Sequence, residues 1–159
     1  MEERGGSNMH LKLEPVTQEN WRRAVFLTTD PERKIPLDEQ WLTSNAFSLL
    51  QCQFEQDWDC RLMLDGDNAV GFVFYGYWRE RGRYLLCRYM IDVRYQNMGY
   101  GQAFLPIVVQ QIRWQYGCRD VYTSVDDDNI AAQRLYRKFG FVPTEEMDEE
   151  ERVYILRGR

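Results

Sequence analysis

At 159 residues with a formal net charge of −5, the chain has the size of one domain, and its acidic balance argues against nonspecific nucleic-acid binding, which needs a basic face. No apolar run approaches the ~20 residues that span a bilayer. The single histidine, His10, excludes Ser-His-Asp and Cys-His chemistry and a His-rich zinc site, and four scattered cysteines (Cys52, Cys60, Cys87, Cys118) without a CxxC pair read as reduced thiols of a cytoplasmic protein.

Residues 1–8 are polar, lack an apolar signal core and read as a disordered tail, leaving 9–159 as a single domain. Leu11–Val16 alternates weakly and predicts a strand with Pro15 near its end. Thr17 and Asn20 are candidate caps for a helix over Trp21–Thr28. Two prolines punctuate a loop over Thr29–Pro36, and Leu37–Gln53 predicts a second helix, interrupted near Ser44-Asn45. Cys60–Leu64 and Ala69–Trp78 read as strands joined by an Asp-Gly turn. The second of these is apolar on both faces, which suits a central strand. Tyr84–Ile91 is a further strand. The helix with the clearest periodicity is Gly99–Tyr116, with Phe104, Ile107, Val108 and Ile112 on one face and Gly117 as its stop. Pro106 lies early in it and predicts a slight kink or a later start. Asp120–Val125 is a strand, and Asn129–Phe139 a helix ended by Gly140. Phe141–Thr144 and Val153–Leu156 read as final strands separated by an acidic loop, Glu145–Glu151. The crossover from Tyr84 to Val125 favours a parallel pair and the earlier hairpins antiparallel ones, so a mixed sheet flanked by helices is expected.

Between the strand ending at Ile91 and the helix after Gly99 lies the turn Gln96-Asn97-Met98-Gly99-Tyr100-Gly101. Glycines here let the backbone approach a ligand, and the helix start adds free N–H groups and a positive dipole end, which together form an anion cradle. The spacing fails the dinucleotide-binding fingerprint at Phe104 and the P-loop at Gln102-Ala103.

Some thirty residues on comes Asn129-Ile-Ala-Ala-Gln-Arg-Leu-Tyr136-Arg-Lys-Phe-Gly-Phe141. The two stretches together resemble the GNAT superfamily of N-acetyltransferases. That family carries a Gln/Arg-x-x-Gly-x-Gly/Ala turn after its fourth strand and an Asn-x-x-Ala-x-x-Leu-Tyr-x-x-x-Gly-Phe helix after its fifth. The matching positions are Gln96, Gly99, Gly101, then Asn129, Ala132, Leu135, Tyr136, Gly140 and Phe141. The resemblance spans roughly Met9 to Leu156. It implies an α/β (mixed α+β) GNAT fold, with a splayed six- to seven-stranded sheet and about four helices. It also implies acetyl-CoA as cosubstrate, no metal, and a homodimer by analogy. Backbone groups of Asn97, Met98, Gly99, Tyr100, Gly101 and Gln102, with Gln96, would hold the pyrophosphate. Met90, Ile91 and Val93 would offer main chain to the pantetheine arm, Asn129 would hydrogen-bond it, and Ala132 would leave it room. Tyr136 would be the general acid toward the leaving thiolate, because a phenol and a thiol have similar pKa values. Lys138 and Arg134 would reach toward the 3′-phosphate.

The run from Arg88 to Gln96, the Gly-Phe-x-x-Tyr-Gly of Gly71–Gly76, and the tail residues Glu146, Asp148, Glu151, Arg152 and Val153 look like bacterial spermine/spermidine N-acetyltransferases. The acceptor implied is therefore a small-molecule amine, a polyamine first. A peptide amine, an aminoglycoside, or a non-catalytic acetyl-CoA sensor are the alternatives. Relatives often carry a carboxylate near the middle of strand four, and here that position is Cys87. A thiol is a poor base and reads as a small core residue, so the amine's proton is expected to leave through water to another carboxylate or to solvent. Asp30, Glu32, Asp38, Glu39 and the runs 126–128 and 145–151 are the acidic candidates near the acceptor. Asp92 reads as structural.

Overall fold

The computed structural model describes residues 8–30 and 45–159. Its seven strands are β1 (Leu11–Pro15), β2 (Trp58–Asp65), β3 (Asn68–Trp78), β4 (Arg83–Ile91), β5 (Val121–Asp126), β6 (Val142–Asp148) and β7 (Glu151–Leu156). They form one sheet in the order β1-β2-β3-β4-β5-β7-β6. Among these described strands only β4 and β5 pair in parallel; the other neighbours are antiparallel. The described helices are α1 (Trp21–Val25), α2 (Asn45–Phe54), α3 (Tyr100–Tyr116) and α4 (Ile130–Phe139). This is the mixed, splayed sheet that the hairpins and the single long crossover imply.

Side chains alternate across a strand, so a strand apolar at every position must bury both faces. In β3, Val73 and Tyr75 point into a core with Phe104, Leu105, Val108 and Ile112 of α3. Phe72 and Phe74 point the other way, against Ala24 and Leu27 and, on β2, Leu62 and Leu64. Each fully buried Leu, Phe or Val contributes roughly 2 kcal/mol. The sheet is thus held between α3 and α4 on one face and α1 and α2 on the other.

Several expectations change. Helix α1 ends at Val25 rather than Thr28, because Thr28 is committed elsewhere: its N–H donates to Asp92 Oδ2 (3.0 Å) and its carbonyl accepts from Val93 N–H (2.8 Å). Asn20 precedes α1 without capping it; its side chain accepts from Thr17 N–H (2.7 Å) and donates to the Pro15 carbonyl (2.9 Å). Of the helix expected over Leu37–Gln53, the described part is Asn45–Phe54, and 37–44 lie outside the described residues, as do residues 1–7. Most of the supposed acidic loop is strand. β6 continues through Asp148 and β7 begins at Glu151, leaving a two-residue turn in which Glu149 takes φ +52°. Pro106 sits inside α3, which still starts at Tyr100; the ring costs the Gln102 carbonyl its helical donor.

Gly76 on β3 faces Trp58, and a Cβ there would stand 2.2 Å from the Asp57 carbonyl oxygen and 2.9 Å from Trp58 Cα. Both are backbone atoms that cannot swing away. Gly76→Ala is expected to cost about 2 kcal/mol, read as a lowered urea midpoint with an unchanged slope. A midpoint equal to wild type would mean that the β2–β3 hairpin yields freely at this point.

Candidate active site

The site begins where the sheet opens. β4 and β5 pair only at Leu85 with Tyr122 and Leu86 with Thr123. Thr123 Oγ1 donates to the Leu86 carbonyl (2.9 Å) and ties the apex. On its other side β4 carries an extra residue: Tyr75 lies opposite Leu86 and Phe74 opposite Arg88, so Cys87 has no partner in the register. Such a bulge bends the strand and increases its twist. Past it, Met90 and Ile91 pair with β3 alone, and the edge facing the split can take an extended ligand as an added strand.

Cys87 is exposed, not the small core residue expected; the bulge turns it out of the ladder. Solvent reaches it, yet the surrounding protein crowds it, and that desolvation pushes the thiol up to about 11, with Glu151 and Asp148 adding and Arg88 opposing. It is a neutral thiol at physiological pH.

At the end of β4 the chain turns through a 3₁₀ segment, Val93–Tyr95, into the cradle. Asp92 fixes this turn. Its side chain is fully out of solvent, and it accepts from Thr28 N–H (3.0 Å), Arg94 N–H (3.0 Å) and Arg94 Nε (2.8 Å). Burial alone would raise its pKa, but these donors outweigh it and hold the carboxyl below its ordinary value. Its role is structural, as expected. Asn97 then adopts φ +61° and Gly99 φ +88° at the N-cap of α3. Asn tolerates the left-handed region better than most residues, and glycine enters it without strain. The reversal aims the first N–H groups of a 17-residue helix outward, where they and the dipole favour an anion. Two phenols pin the first turn: Tyr89 donates to the Gly101 carbonyl (2.6 Å) and Tyr100 to Asp65 Oδ2 (2.6 Å).

Between the end of β4, the cradle and α4 lies a cavity of about 400 Å³. Of the residues singled out in the sequence, Met90, Ile91, Gln96, Asn97, Gly99, Tyr100, Gly101, Gln102 and Ala132 line it. Val93, Met98, Asn129, Tyr136 and Lys138 do not. The Val93 N–H is taken by Thr28, Met98 is exposed, and Asn129 caps α4 by accepting from Ala132 N–H (3.1 Å). Lys138 reaches the rim, where Nζ donates to Gln102 Oε1 (3.2 Å). Thr29, Tyr89, Tyr95 and Ala131 also line the cavity and were missed, and so does Leu135, a position of the resembled motif that was given no role in the site. Tyr89 was recoverable, since it shares a face with Ile91, as was a role for Leu135, which lies three residues and so one helix face on from Ala132.

Tyr136 is the one buried residue of α4. Its ring packs edge-on against Phe141 (5.3 Å between centroids) and lies near Tyr89 (6.5 Å). The hydroxyl is beside Thr123, at the apex of the split. Burial is the main cause that pushes it up to about 12; Thr123 opposes, and Glu151 and Cys87 add. The phenol is therefore protonated, and in a proton transfer it is the giver. The acidic runs sort themselves by partner. Glu146 bonds Arg81 and Arg83, Asp127 pairs with Arg152 (3.3 Å), and Asp126 Oδ1 accepts from Asp128 N–H (2.8 Å). Among the described residues, Glu151 Oε2 accepts only from the Ser124 hydroxyl (2.6 Å). Glu32, Asp38 and Glu39 lie outside the described residues. Among the described residues no three His, Cys, Asp or Glu gather as metal ligands, and no helix is long and apolar enough to cross a membrane.

The fold superimposes on an acetyltransferase from Thermus thermophilus with a TM-score of 0.72, at 18% identity over 92% of this chain and 96% of the other. It also superimposes on spermidine N-acetyltransferase from Vibrio cholerae in complex with CoA and spermine, with a TM-score of 0.71 at 15% identity over 93% and 95%. Residues 18–141 match the acetyltransferase (GNAT) family, and the chain belongs to it. It is 40% identical over 93 residues to the spermine/spermidine N(1)-acetyltransferase of Bacillus subtilis strain 168, covering 55% of this chain. A probable spermine N(1)-acetyltransferase of B. subtilis subsp. natto is 39% identical over the same length. The matched part spans 60% of each of these relatives.

Proposed function

We propose that the protein transfers the acetyl group of acetyl-CoA to a primary amine of a polyamine such as spermidine or spermine, by direct attack while both substrates are bound. The observation that carries this reading is the split between β4 and β5, with the α3 cradle at its mouth and the protonated Tyr136 at its apex. The cradle fits the pyrophosphate: a Cβ at Gly99 would meet nothing within 4 Å, and one at Gly101 only Leu135 at 3.7 Å, so the backbone lies open to a ligand. The free edge of Met90 and Ile91 suits the amide-bearing pantetheine, Ala132 leaves it room, and Asn129 keeps its amide NH₂ for it while capping with the oxygen. Lys138 stands at the rim for a phosphate. Tyr136 gives its proton to the departing sulfur. Cys87 is neutral, and no acyl-enzyme is part of the scheme. The polyamine acceptor is supported by the B. subtilis relatives and by the net charge of −5.

The test is steady-state acetylation of spermidine, spermine, an N-terminal peptide amine and an aminoglycoside, with acetyl-CoA binding measured by calorimetry. The expected result is binding, with the highest kcat/KM on spermidine or spermine. Turnover on the peptide or aminoglycoside alone removes the polyamine. Binding with no turnover turns the protein into an acetyl-CoA sensor, and absence of binding removes the whole reading.

A further inference from the structure

We infer that Glu151 accepts the proton of the attacking amine through an intervening water. This rests on the acetyl-transfer reading above. An aliphatic amine has a pKa of about 10 and arrives as ammonium, so a group beside the split must take a proton before nitrogen can attack.

The groups around the split leave few choices. Cys87 is a neutral thiol, Arg88 is a cation that donates to Asn45 Oδ1 (3.0 Å), and Tyr136 is already protonated. Thr123 is committed to the Leu86 carbonyl. Glu146 is neutralised by Arg81 and Arg83, and Asp127 by Arg152. Glu151 opens β7 directly opposite Asp126, the last residue of β5, and reaches back to Ser124 Oγ. Among the described residues that hydroxyl is its only hydrogen-bond partner, and no cation pairs with it. The Glu151 carboxylate therefore keeps most of its acceptor sites open among the described residues.

Its placement also fits. Thr123 and Ser124 are successive residues of β5 and point to opposite faces. Tyr136 meets Thr123 from the α4 face; Glu151 holds Ser124 on the other. The proton donor and the proton acceptor thus approach the split from opposite sides. Attack on the thioester needs a proton acceptor for the amine and its collapse needs a proton donor for the sulfur, and this arrangement supplies one of each. The Glu151 charge is close enough to act on both Cys87 and Tyr136, raising each. Its partners in the register are Asp148 of β6 and Asp126 of β5, Arg88 of β4 acts on the same Cys87 thiol, and its neighbour Arg152 turns to Asp127.

The protons balance. The ammonium gives one proton to Glu151, which passes it to solvent. The N–C bond forms, the C–S bond breaks, and sulfur takes the Tyr136 proton. The second amine proton returns to the phenolate through water, so one proton is released for each acetyl group moved.

The test is the pH profile of kcat/KM for the amine in wild type, Glu151→Gln and Glu151→Asp. The expected result is a loss of about 100-fold in Glu151→Gln near neutral pH, shrinking as pH rises toward the amine's own pKa, where free base is supplied by the solution. KM for acetyl-CoA should stay unchanged, and Glu151→Asp should recover part of the loss. A loss constant across pH, a change confined to the amine KM, or no change overturns the role of Glu151 while leaving acetyl transfer intact. Failure of the wild type to acetylate any amine overturns the reading beneath it instead.

Discussion

Tyr136→Phe should lower kcat about 100-fold while leaving KM for acetyl-CoA close to wild type, which is the scale of a lost general acid. The substitution separates chemistry from packing. The Tyr136 ring is buried against Phe141 and near Tyr89, and phenylalanine keeps those contacts. The hydroxyl's neighbour, Thr123, already has the Leu86 carbonyl as acceptor, so removing it should cost no more than about 1 kcal/mol of stability. The thermal midpoint of the variant therefore controls for folding. The pH dependence carries a second check. Burial raises the phenol to about 12, so it is in its donating form below that value and is lost as an acid only when pH rises through it. No basic limb from Tyr136 should appear in the wild-type profile at pH 7 to 9. A kcat within about threefold of wild type, with an intact fold, would remove Tyr136 from the chemistry.

Much of this site was legible because its signals are local. Gly99 announces a left-handed position before a helix, and Gln96–Gly101 with Asn129–Phe141 mark the two helix starts that flank the cavity. β3 was legible because a strand buried on both faces has no polar positions to confuse it. The misreadings have non-local or edge causes. β6 is an edge strand with Val142, Glu145 and Met147 exposed, so apolar periodicity showed its start but not its continuation past Thr144. α1 stops early because Asp92, 64 residues further on, takes the Thr28 N–H. Cys87 leaves the core because β4 bulges against β3, a matter of pairing that neither strand's sequence states. The acidic runs looked alike in the sequence. Only the positions of Arg81, Arg83 and Arg152 distinguish Glu146 and Asp127, which are neutralised, from Glu151, which is not.

Asp92→Ala should destabilise the protein by about 3 kcal/mol, because it removes a buried carboxylate that serves three part-buried donors on two separate segments. Thr28 N–H and Arg94 N–H would both lose their partner, and Arg94 Nε its ion pair. Asp92→Asn should fall between, since one carboxamide oxygen cannot serve donors that now use both carboxylate oxygens. Urea titration at neutral pH gives the order wild type, Asn, Ala, and equal midpoints for all three would show that the turn is held by something else. Acid supplies an independent reading. The folded-state pKa of Asp92 is depressed, so its contribution is complete above the ordinary carboxylate value of about 4 and is lost as pH falls through the lower folded value. The stability gap between wild type and Asp92→Ala should therefore narrow as the pH is lowered. The consequence reaches the ligand because Asp92 joins the end of β4 to the Thr28–Thr29 segment, and Thr29 and Ile91 both line the cavity. A cradle whose two walls are no longer tied must be ordered by the ligand itself, and that cost weakens binding. Acetyl-CoA affinity in Asp92→Ala should drop even under conditions where the variant remains folded, which calorimetry at low temperature can measure directly.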